Sequence, residues 1–263
     1  MSVLLVHSDL RRMLEAARPD ANRREQFLAS IVEDIVETYP SSDIWMPAYN
    51  YGFFSTGVFD YRQSRSQMGV LSEYFRAHRA HWRTVTPILS FSGIGQPLDT
   101  DTSTGVLEPN GASGPLSQLV DSGGTVLMLG CNVQWASLFH HAEVAGGAYP
   151  LYRYDKGFAG STVKWTGDTQ DVQVRYAVTS LNRPVAYDFG RIHEHFLDEG
   201  IVRSSSRFQY SYEIDAQDFV NAWQVLSEAD PFWPLTDKSR GWAQPLVEGL
   251  GRGFQAKDFE EIY

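Results

Sequence analysis

The segment TVLMLGCN, residues 125–132, decides the fold. Its central residues, Val126–Leu129, form a continuous apolar run bounded by glycines, which is typical of a strand buried on both faces of a sheet. The next segment, WASLFHHAEVAGG (residues 135–147), brings two adjacent histidines and a glutamate into a helical pattern. In layered α/β proteins, ligands gather where strands end and helices begin. We therefore expect the functional site just beyond this strand.

The rest of the chain continues the alternation of strands and helices. SVLLVHS (residues 2–8) has the pattern of a second buried strand, and RREQFLASIVEDIVETY (residues 23–39) has helical spacing of its apolar residues. STVKWTGDTQDVQVRYAVTS (residues 161–180) alternates polar and apolar residues, as antiparallel strands do. These patterns predict an α/β layered sandwich with a mixed sheet and an antiparallel C-terminal elaboration. Because no polar linker interrupts them, we expect one domain spanning residues 1–263.

The composition excludes several classes of protein. With 263 residues, of which 43% are hydrophobic, the chain can bury a large core. A net charge of -10 argues against nucleic acid and anionic membranes as partners. The single cysteine, Cys131, excludes an intrachain disulfide. The N-terminal apolar run is too short for a signal peptide or a membrane span, so we expect a soluble cytoplasmic protein.

The adjacent histidines do not have the spacing of a metal site. Zinc-binding helices usually place two histidines four residues apart, whereas His140 and His141 point in different directions from a regular helix. His193 and His195 have the same difficulty, because a helix separates them by about 200°. The sequence therefore predicts no metal.

A proton-transfer site fits the spacing better, although spacing alone also fits a solvated helix face. His140 and Glu143 are three residues apart and share a face of the helix. A histidine supported by a carboxylate can accept a proton near neutral pH.

VHSDL (residues 6–10) ends the first strand, where backbone N–H groups could hold a phosphate or Ser8 could simply cap a helix.

Several ordered blocks of the sequence resemble the aminoglycoside 3-N-acetyltransferase family. The blocks extend over most of the chain: LLVHSDL (4–10), MPAYNYGFFSTGVFDYRQSRSQMGVLSEYFR (46–76), WRTVTPILSFSGIG (82–95), GPLSQLVDSGGTVLMLG (114–130), ASLFHHAE (136–143) and DFGRIHEHFLDEG (188–200). The resemblance implies an α/β fold and transfer of an acetyl group from acetyl-CoA to an amine of an amino sugar, without a metal. It also implies direct attack of the amine on the thioester.

The resemblance assigns roles to individual residues. His140 matches the family's general base and Glu143 its supporting carboxylate, and Ser90 matches a serine near the thioester, so these three are the implied catalytic residues. The implied CoA-binding residues are His7, Ser8, Leu10, Arg83, Ser90, Phe91 and Ser113. The implied acceptor-binding residues are Tyr49, Tyr51, Asp60, Glu73, Gln134 and Asp188.

The chain also departs from the family pattern. Thr86 and Leu89 replace two histidines before Ser90, and Gln134 and Ala136 replace an aspartate and an asparagine before the catalytic histidine. These departures favour an N-acetyltransferase that acts on an amino sugar or aminoglycoside-like metabolite in biosynthesis over a classical resistance enzyme. An N-formyltransferase or other acyltransferase on an amino sugar, and a family member without catalysis, remain alternatives. The expected partner is a small amino-sugar acceptor, and a homodimer remains open.

Overall fold

The structure is a computed structural model that describes residues 2–17, 20–98, 105–164 and 166–260. The strands in these residues are β1 (Ser2–Ser8), β2 (Ser42–Pro47), β3 (Val58–Asp60), β4 (Trp82–Arg83), β5 (Phe91–Ile94), β6 (Val106–Leu107), β7 (Thr125–Leu129), β8 (Tyr154–Val163), β9 (Thr169–Val178), β10 (Val202–Ser204) and β11 (Tyr212–Asp215). The helices are α1 (Arg11–Ala17), α2 (Ala21–Thr38), α3 (Phe53–Thr56), α4 (Val70–His78), α5 (Pro115–Asp121), α6 (Leu138–Ala142), α7 (Phe189–Asp198), α8 (Ala216–Ala229), α9 (Asp237–Leu250) and α10 (Lys257–Glu260).

A seven-stranded mixed sheet forms the centre of the protein, with strand order β10-β11-β7-β1-β2-β5-β4. β1 is parallel to both β2 and β7, whereas the outer strands pair antiparallel. The predicted buried strands, β1 and β7, are therefore neighbours near the middle of this sheet. Because they are parallel, they end at the same edge, where their following loops meet.

A second sheet of four strands has the order β3-β8-β9-β6. Its centre is the antiparallel hairpin of β8 and β9, whose ten residue pairs run from Tyr154 with Val178 to Val163 with Thr169. The prediction of an α/β sandwich with an antiparallel elaboration is confirmed. That the whole chain forms one domain stays a prediction.

Apolar residues on both faces of β1 explain its central place. Val3 and Leu5 pack into one core with α5, α6, α7 and α8, while Leu4 and Val6 pack into a second core with α2 and α4. Successive side chains of a strand point to opposite faces, so a strand covered on both faces must be apolar throughout. In the residues that the structure describes, no helix is both long and apolar enough to span a bilayer.

Gly93 in β5 provides a test of the packing at one end of the central sheet. A Cβ atom at Gly93 would lie 2.1 Å from Cζ2 of Trp82, whose ring meets that of Trp45 edge to face. We expect Gly93→Ala to destabilise the protein by about 1–3 kcal/mol, because the tryptophan must leave its position. Thermal and denaturant unfolding would measure this.

Gly249→Ala is the matched control. Gly249 lies in α9, and a Cβ atom there would meet nothing within 4 Å. The same substitution should stabilise the protein by roughly 0.5–1 kcal/mol, because alanine favours the helix. Equal effects at the two positions would contradict the packing described here.

Candidate functional site

The short helix α6 carries both adjacent histidines. It follows β7 through a 3₁₀ turn at Val133–Trp135, which the side chain of Asn132 caps. Leu138, Phe139 and Ala142 are buried, which fixes the orientation of the helix on α8. The side chain of His140 is 22% exposed, whereas His141 is only 5% exposed and faces a different environment. The two histidines therefore cannot serve one site.

Glu143, directly after α6, is the centre of a buried polar network. Its side chain is 2% exposed, and Nε of Arg153 lies 3.0 Å from its Oε2. The hydroxyls of Tyr152 and Tyr187 both donate hydrogen bonds to Oε1. Arg153 also donates to the Tyr187 hydroxyl (2.8 Å) and to the carbonyl of Ala177 (2.9 Å). The network thus joins the end of α6 to β9 and to the segment before α7.

Charge balance in this network follows from burial and pairing. Burial raises the pKa of Glu143, and Arg153 together with the two phenols opposes that shift. Burial works to lower the pKa of Arg153, but the adjacent Glu143 carboxylate outweighs it, so the pKa of Arg153 is raised. A buried ion pair is tolerated only where further hydrogen bonds satisfy both charges, as they do here.

His140 lies beside this network without joining it by a hydrogen bond. Its Nδ1 is 4.0 Å from Oε2 of Glu143, too far for the hydrogen bond that a supporting carboxylate would make. Burial lowers the pKa of His140 well below its usual value, and the positive charge of Arg153 lowers it further. The imidazole is therefore neutral at physiological pH. Its ring contacts those of Phe139 and Tyr176.

A second buried histidine lies at the end of β1. The hydroxyl and the backbone N–H of Ser137 approach Nε2 of His7, at 3.0 and 3.4 Å. Burial lowers the pKa of His7 to about 3, which favours the neutral ring. The backbone N–H of Ser137 can only donate, so Nε2 is the acceptor and the hydroxyl of Ser137 donates a hydrogen bond to it as well. Ser137 precedes α6, and this contact ties the start of the helix to the strand edge.

A cleft opens at the shared edge of β1, β2 and β7, and we call it the strand-end cleft. Its inner cavity of about 370 Å³ is lined by His7, Ser8, Asp9, Arg11, Pro47, Tyr49, Gln67, Met68, Gly69 and Trp135. A neighbouring cavity of about 600 Å³ shares three of these residues and adds Arg12, Glu15, Gly130, Cys131, Asn132, Gln134, Tyr210 and Tyr212. The cleft lies just beyond β7, at the sheet edge where the sequence predicts the functional site.

Only part of the implied CoA-binding set lies at this cleft. His7 and Ser8 line it, whereas Leu10 is buried in the core beneath α1. Ser113 is exposed on the loop before α5. Phe91 is fully buried against Trp45 and Tyr49.

Arg83 and Ser90 hold the backbone together. Arg83 is buried, donates to the carbonyls of Ala48, Tyr61 and Ser64, and lies over the ring of Phe59. The hydroxyl of Ser90 donates to the same Ala48 carbonyl. Both side chains are engaged in these contacts with the backbone. Their implied contact with CoA stays a prediction.

The implied acceptor-binding carboxylates are also committed to local structure. Asp60 accepts from the backbone N–H groups of Arg62 and Gln63. Glu73 pairs with Arg76 and Arg65, and Asp188 caps α7. Among the described residues, no hydrogen bond or ion pair joins any of these three to His140.

The other implied acceptor-binding residues lie nearer to the cleft. Tyr49 and Gln134 line its two cavities. Tyr51, 47% exposed, meets Tyr49 edge to face and stacks with Phe54, which is 42% exposed.

Sequence reasoning missed Arg153, Tyr152 and Tyr187. Their contacts with Glu143 depend on chain segments that fold back onto α6, and nothing in the local pattern marks a buried arginine. An arginine between aromatic residues, as in LYRY (residues 151–154), is the one available signal. Among the residues that the structure describes, no group of three histidines, cysteines or carboxylates could hold a metal ion.

Comparison with known proteins agrees with the fold and the sequence blocks. The family model for aminoglycoside 3-N-acetyltransferase matches residues 28–226. Among solved structures, a binary complex of AAC-IIIb with CoASH is 22% identical, with 87% of this chain and 90% of that chain covered and a TM-score of 0.64. Sisomicin-bound AAC-VIa is 18% identical, with 87% and 91% covered and a TM-score of 0.64. No curated protein sequence matches.

The ion pair of Glu143 and Arg153 yields a stability prediction. Arg153→Met leaves the buried carboxylate without its cation, so we expect a loss of about 3–5 kcal/mol in the free energy of unfolding. The double variant Glu143→Gln/Arg153→Met removes both charges and should recover part of that loss. Denaturant unfolding of the single and double variants would measure both. Additive losses would contradict a coupled pair.

Proposed function

Because the chain belongs to the aminoglycoside 3-N-acetyltransferase family, a family of acyltransferases, we propose that it transfers an acetyl group from acetyl-CoA to an amine of an amino sugar, with His140 as general base. The observation that carries the proposal is the position of His140. Its imidazole is partly exposed on a helix that a buried network holds in place. Burial favours the neutral ring, whose lone pair is free to take a proton from an attacking amine.

The lining of the strand-end cleft supports an acyl-CoA as its ligand. Its inner cavity combines the apolar side chains of Pro47, Met68 and Trp135 with the buried hydroxyl of Tyr49, which makes no hydrogen bond within the described residues. At the outer cavity, Arg11 pairs with Asp9, while Arg12 lies over the ring of Tyr210. The proposal assigns phosphate contacts to Arg12 and the acyl arm to the inner cavity. AAC-IIIb, a protein of the same fold, binds CoASH.

His140 supplies the proton acceptor that amide formation requires. Acetyl-CoA supplies the acetyl group as a thioester when it is bound. An ammonium has no lone pair, so the acceptor nitrogen must lose a proton before or during attack, and His140 takes it. As the C–N bond replaces the C–S bond, His140 can return this proton to the departing sulfur of CoA, which leaves as a thiol. Negative charge that develops on the carbonyl oxygen needs a hydrogen-bond donor. We assign this to the hydroxyl of Tyr49, which lines the inner cavity.

Glu143 acts on His140 by position rather than by a hydrogen bond. Three donors already hold its oxygens, and the charge of Arg153 balances its own. We therefore assign Glu143 the task of fixing α6, so that His140 keeps its place. A base that is already held in its reactive orientation loses less conformational entropy on reaching the transition state.

The surroundings of the cleft favour an amino sugar of low charge as acceptor. The carboxylates Asp60, Glu73 and Asp188, which could have met a polycation, are paired or capping. The exposed, stacked rings of Tyr51 and Phe54 provide instead a flat apolar surface for a sugar ring. Sisomicin is the ligand of the related AAC-VIa. For this chain, we propose a role in amino-sugar biosynthesis.

Calorimetry and turnover with acetyl-CoA test this function. We expect the protein to bind acetyl-CoA, and His140→Ala to lose at least about 10²-fold in acetyl transfer to a glucosamine glycoside, because the general base is gone. The affinity for CoA should remain, since His140 is not among the residues that line the cleft. His81→Ala, at an exposed histidine outside the site, should leave the rate unchanged.

Two results would contradict the proposal. Failure to bind CoA would exclude the donor, and binding of a folate in its place would redirect the function to formyl transfer. Equal rates for wild type and His140→Ala would exclude His140 as the base.

A further inference from the structure

Another cavity, distinct from the two cavities of the strand-end cleft, lies beside α6 on the side of His141. It has a volume of about 580 Å³, and its walls come from the loop before α5, from α5 itself, from the end of α6 and the segment after it, and from α8. His141 lines this cavity, and His140 does not. The lining residues include the carboxylates of Glu108 and Asp121 and no lysine or arginine.

His141 presents a hydrogen-bond acceptor to this cavity. Its Nδ1 lies 3.1 Å from the backbone carbonyl oxygen of Asn110. A carbonyl oxygen can only accept, so Nδ1 carries the hydrogen, and the lone pair of the neutral ring is on Nε2. Among the described residues, no hydrogen bond to Nε2 is formed, and His141 lines the cavity. Burial lowers the pKa of His141, which favours this neutral form.

The charges around the cavity are negative overall. Glu108 pairs with Arg175 at 2.9 Å, but the same guanidinium also pairs with Asp155, so this group of three carries one net negative charge. Asp121 accepts a hydrogen bond of 3.3 Å from the Ser117 hydroxyl and adds a second negative charge. A cationic ligand would gain Coulomb energy here, and an anionic one would lose it.

The donor set favours an ammonium over a metal ion. Among the described residues, no three carboxylates, histidines or cysteines are arranged around one point. A protonated amine needs only acceptors, and its three N–H donors suit a carboxylate, a neutral imidazole and amide oxygens. Asn221 and Gln217, also in the wall, supply such amides.

We propose that this cavity is a second ligand site, separate from the face of α6 that carries His140, and that it binds a small organic cation with a primary ammonium group, such as a diamine or polyamine. Asp121 and the Nε2 atom of His141 receive the ammonium, and Glu108 contributes to the field. The proposal does not depend on acetyl transfer.

The site is connected to the catalytic helix through two of its wall residues. The side-chain amide of Asn110 donates to the backbone carbonyl of His140 at 3.3 Å, and that of Gln224 donates to the carbonyl of Ala142. The last carbonyls of a helix have no partner within it, and these two amides supply one. A ligand in the cavity therefore contacts the side chains that hold the end of α6.

Calorimetry with 1,4-diaminobutane and spermidine, on the full chain without CoA, tests the site at physiological salt. We expect saturable one-site binding with a Kd below about 1 mM. Asp121→Asn and His141→Phe should each weaken it by about 10-fold, because each removes a hydrogen bond to a charged group. Asp198→Asn removes one charge from the exposed end of α7 and should leave the affinity within about 2-fold, since distant surface charges are screened.

Further comparisons separate this site from the catalytic face. His140→Ala should bind the amine as the wild type does, and 1,4-butanediol, which has the same length without the charge, should not bind. If His141→Phe does not fold, Glu108→Gln replaces it. The proposal is overturned if no saturable binding occurs up to about 10 mM, a concentration that reports only weak, nonspecific attraction. It is equally overturned if Asp198→Asn weakens binding as much as Asp121→Asn does, if Mg²⁺ competes at equal concentration, or if His140→Ala abolishes binding.

Discussion

The buried contact between Glu143 and Arg153 is the constraint on which the rest of the site depends. α6 has only five residues, too few to be stable alone, so its position must come from tertiary contacts. The carboxylate after its end holds an arginine and two phenols, and these reach β9 and the segment before α7. Because both charges are buried, the contact tolerates little displacement. By fixing α6, this contact also fixes the position of His140.

Burial and the arginine of this contact set the proton affinity of His140. A carboxylate beside a histidine would stabilise the imidazolium, and an arginine would oppose it. Here burial lowers the pKa of His140 most, and the charge of Arg153 lowers it further, so the neutral ring is favoured. This differs from the hydrogen-bonded pair that i,i+3 spacing suggests. The distance of 4.0 Å and the three competing donors explain why that hydrogen bond is not made.

The fold could be predicted from the sequence because its signals are local. The apolar runs of β1 and β7 and the alternation in residues 161–180 each lie within a short window, and the structure confirms them as strands of β1, β7, the end of β8 and β9. The different directions of His140 and His141 also follow from helix geometry alone. These features need no knowledge of what packs against them.

The rest of the site could not be predicted, because it depends on which segments meet in space. Arg153 and Tyr187 contact Glu143 only after the chain folds back. Asp188 illustrates the opposite error, since an aspartate just before a helical pattern is also a capping signal. Sequence alone did not decide between substrate binding and capping, and the hydrogen bond to the N–H of Arg191 shows that it caps.

The two faces of α6 differ in chemistry, although the histidines that they carry are adjacent in the sequence. His140 faces the rings of Phe139 and Tyr176, while His141 faces amides and carboxylates. Asn110 donates to the backbone carbonyl of His140, and its own carbonyl accepts from the ring of His141. A shift of the loop before α5 would therefore affect both histidines. The helix is thus a wall between the two proposed sites.

The most direct test of the account is the protonation state of His140 in solution. Nitrogen-15 NMR of the histidine rings, with His140→Ala to assign its signals, reports which ring nitrogens carry a proton. The account predicts that His140 stays neutral as the pH falls through 6.5, the ordinary value for histidine, because burial and Arg153 disfavour the charged form. A ring that is already protonated at pH 7 would contradict it, and with it the role of His140 as a free base.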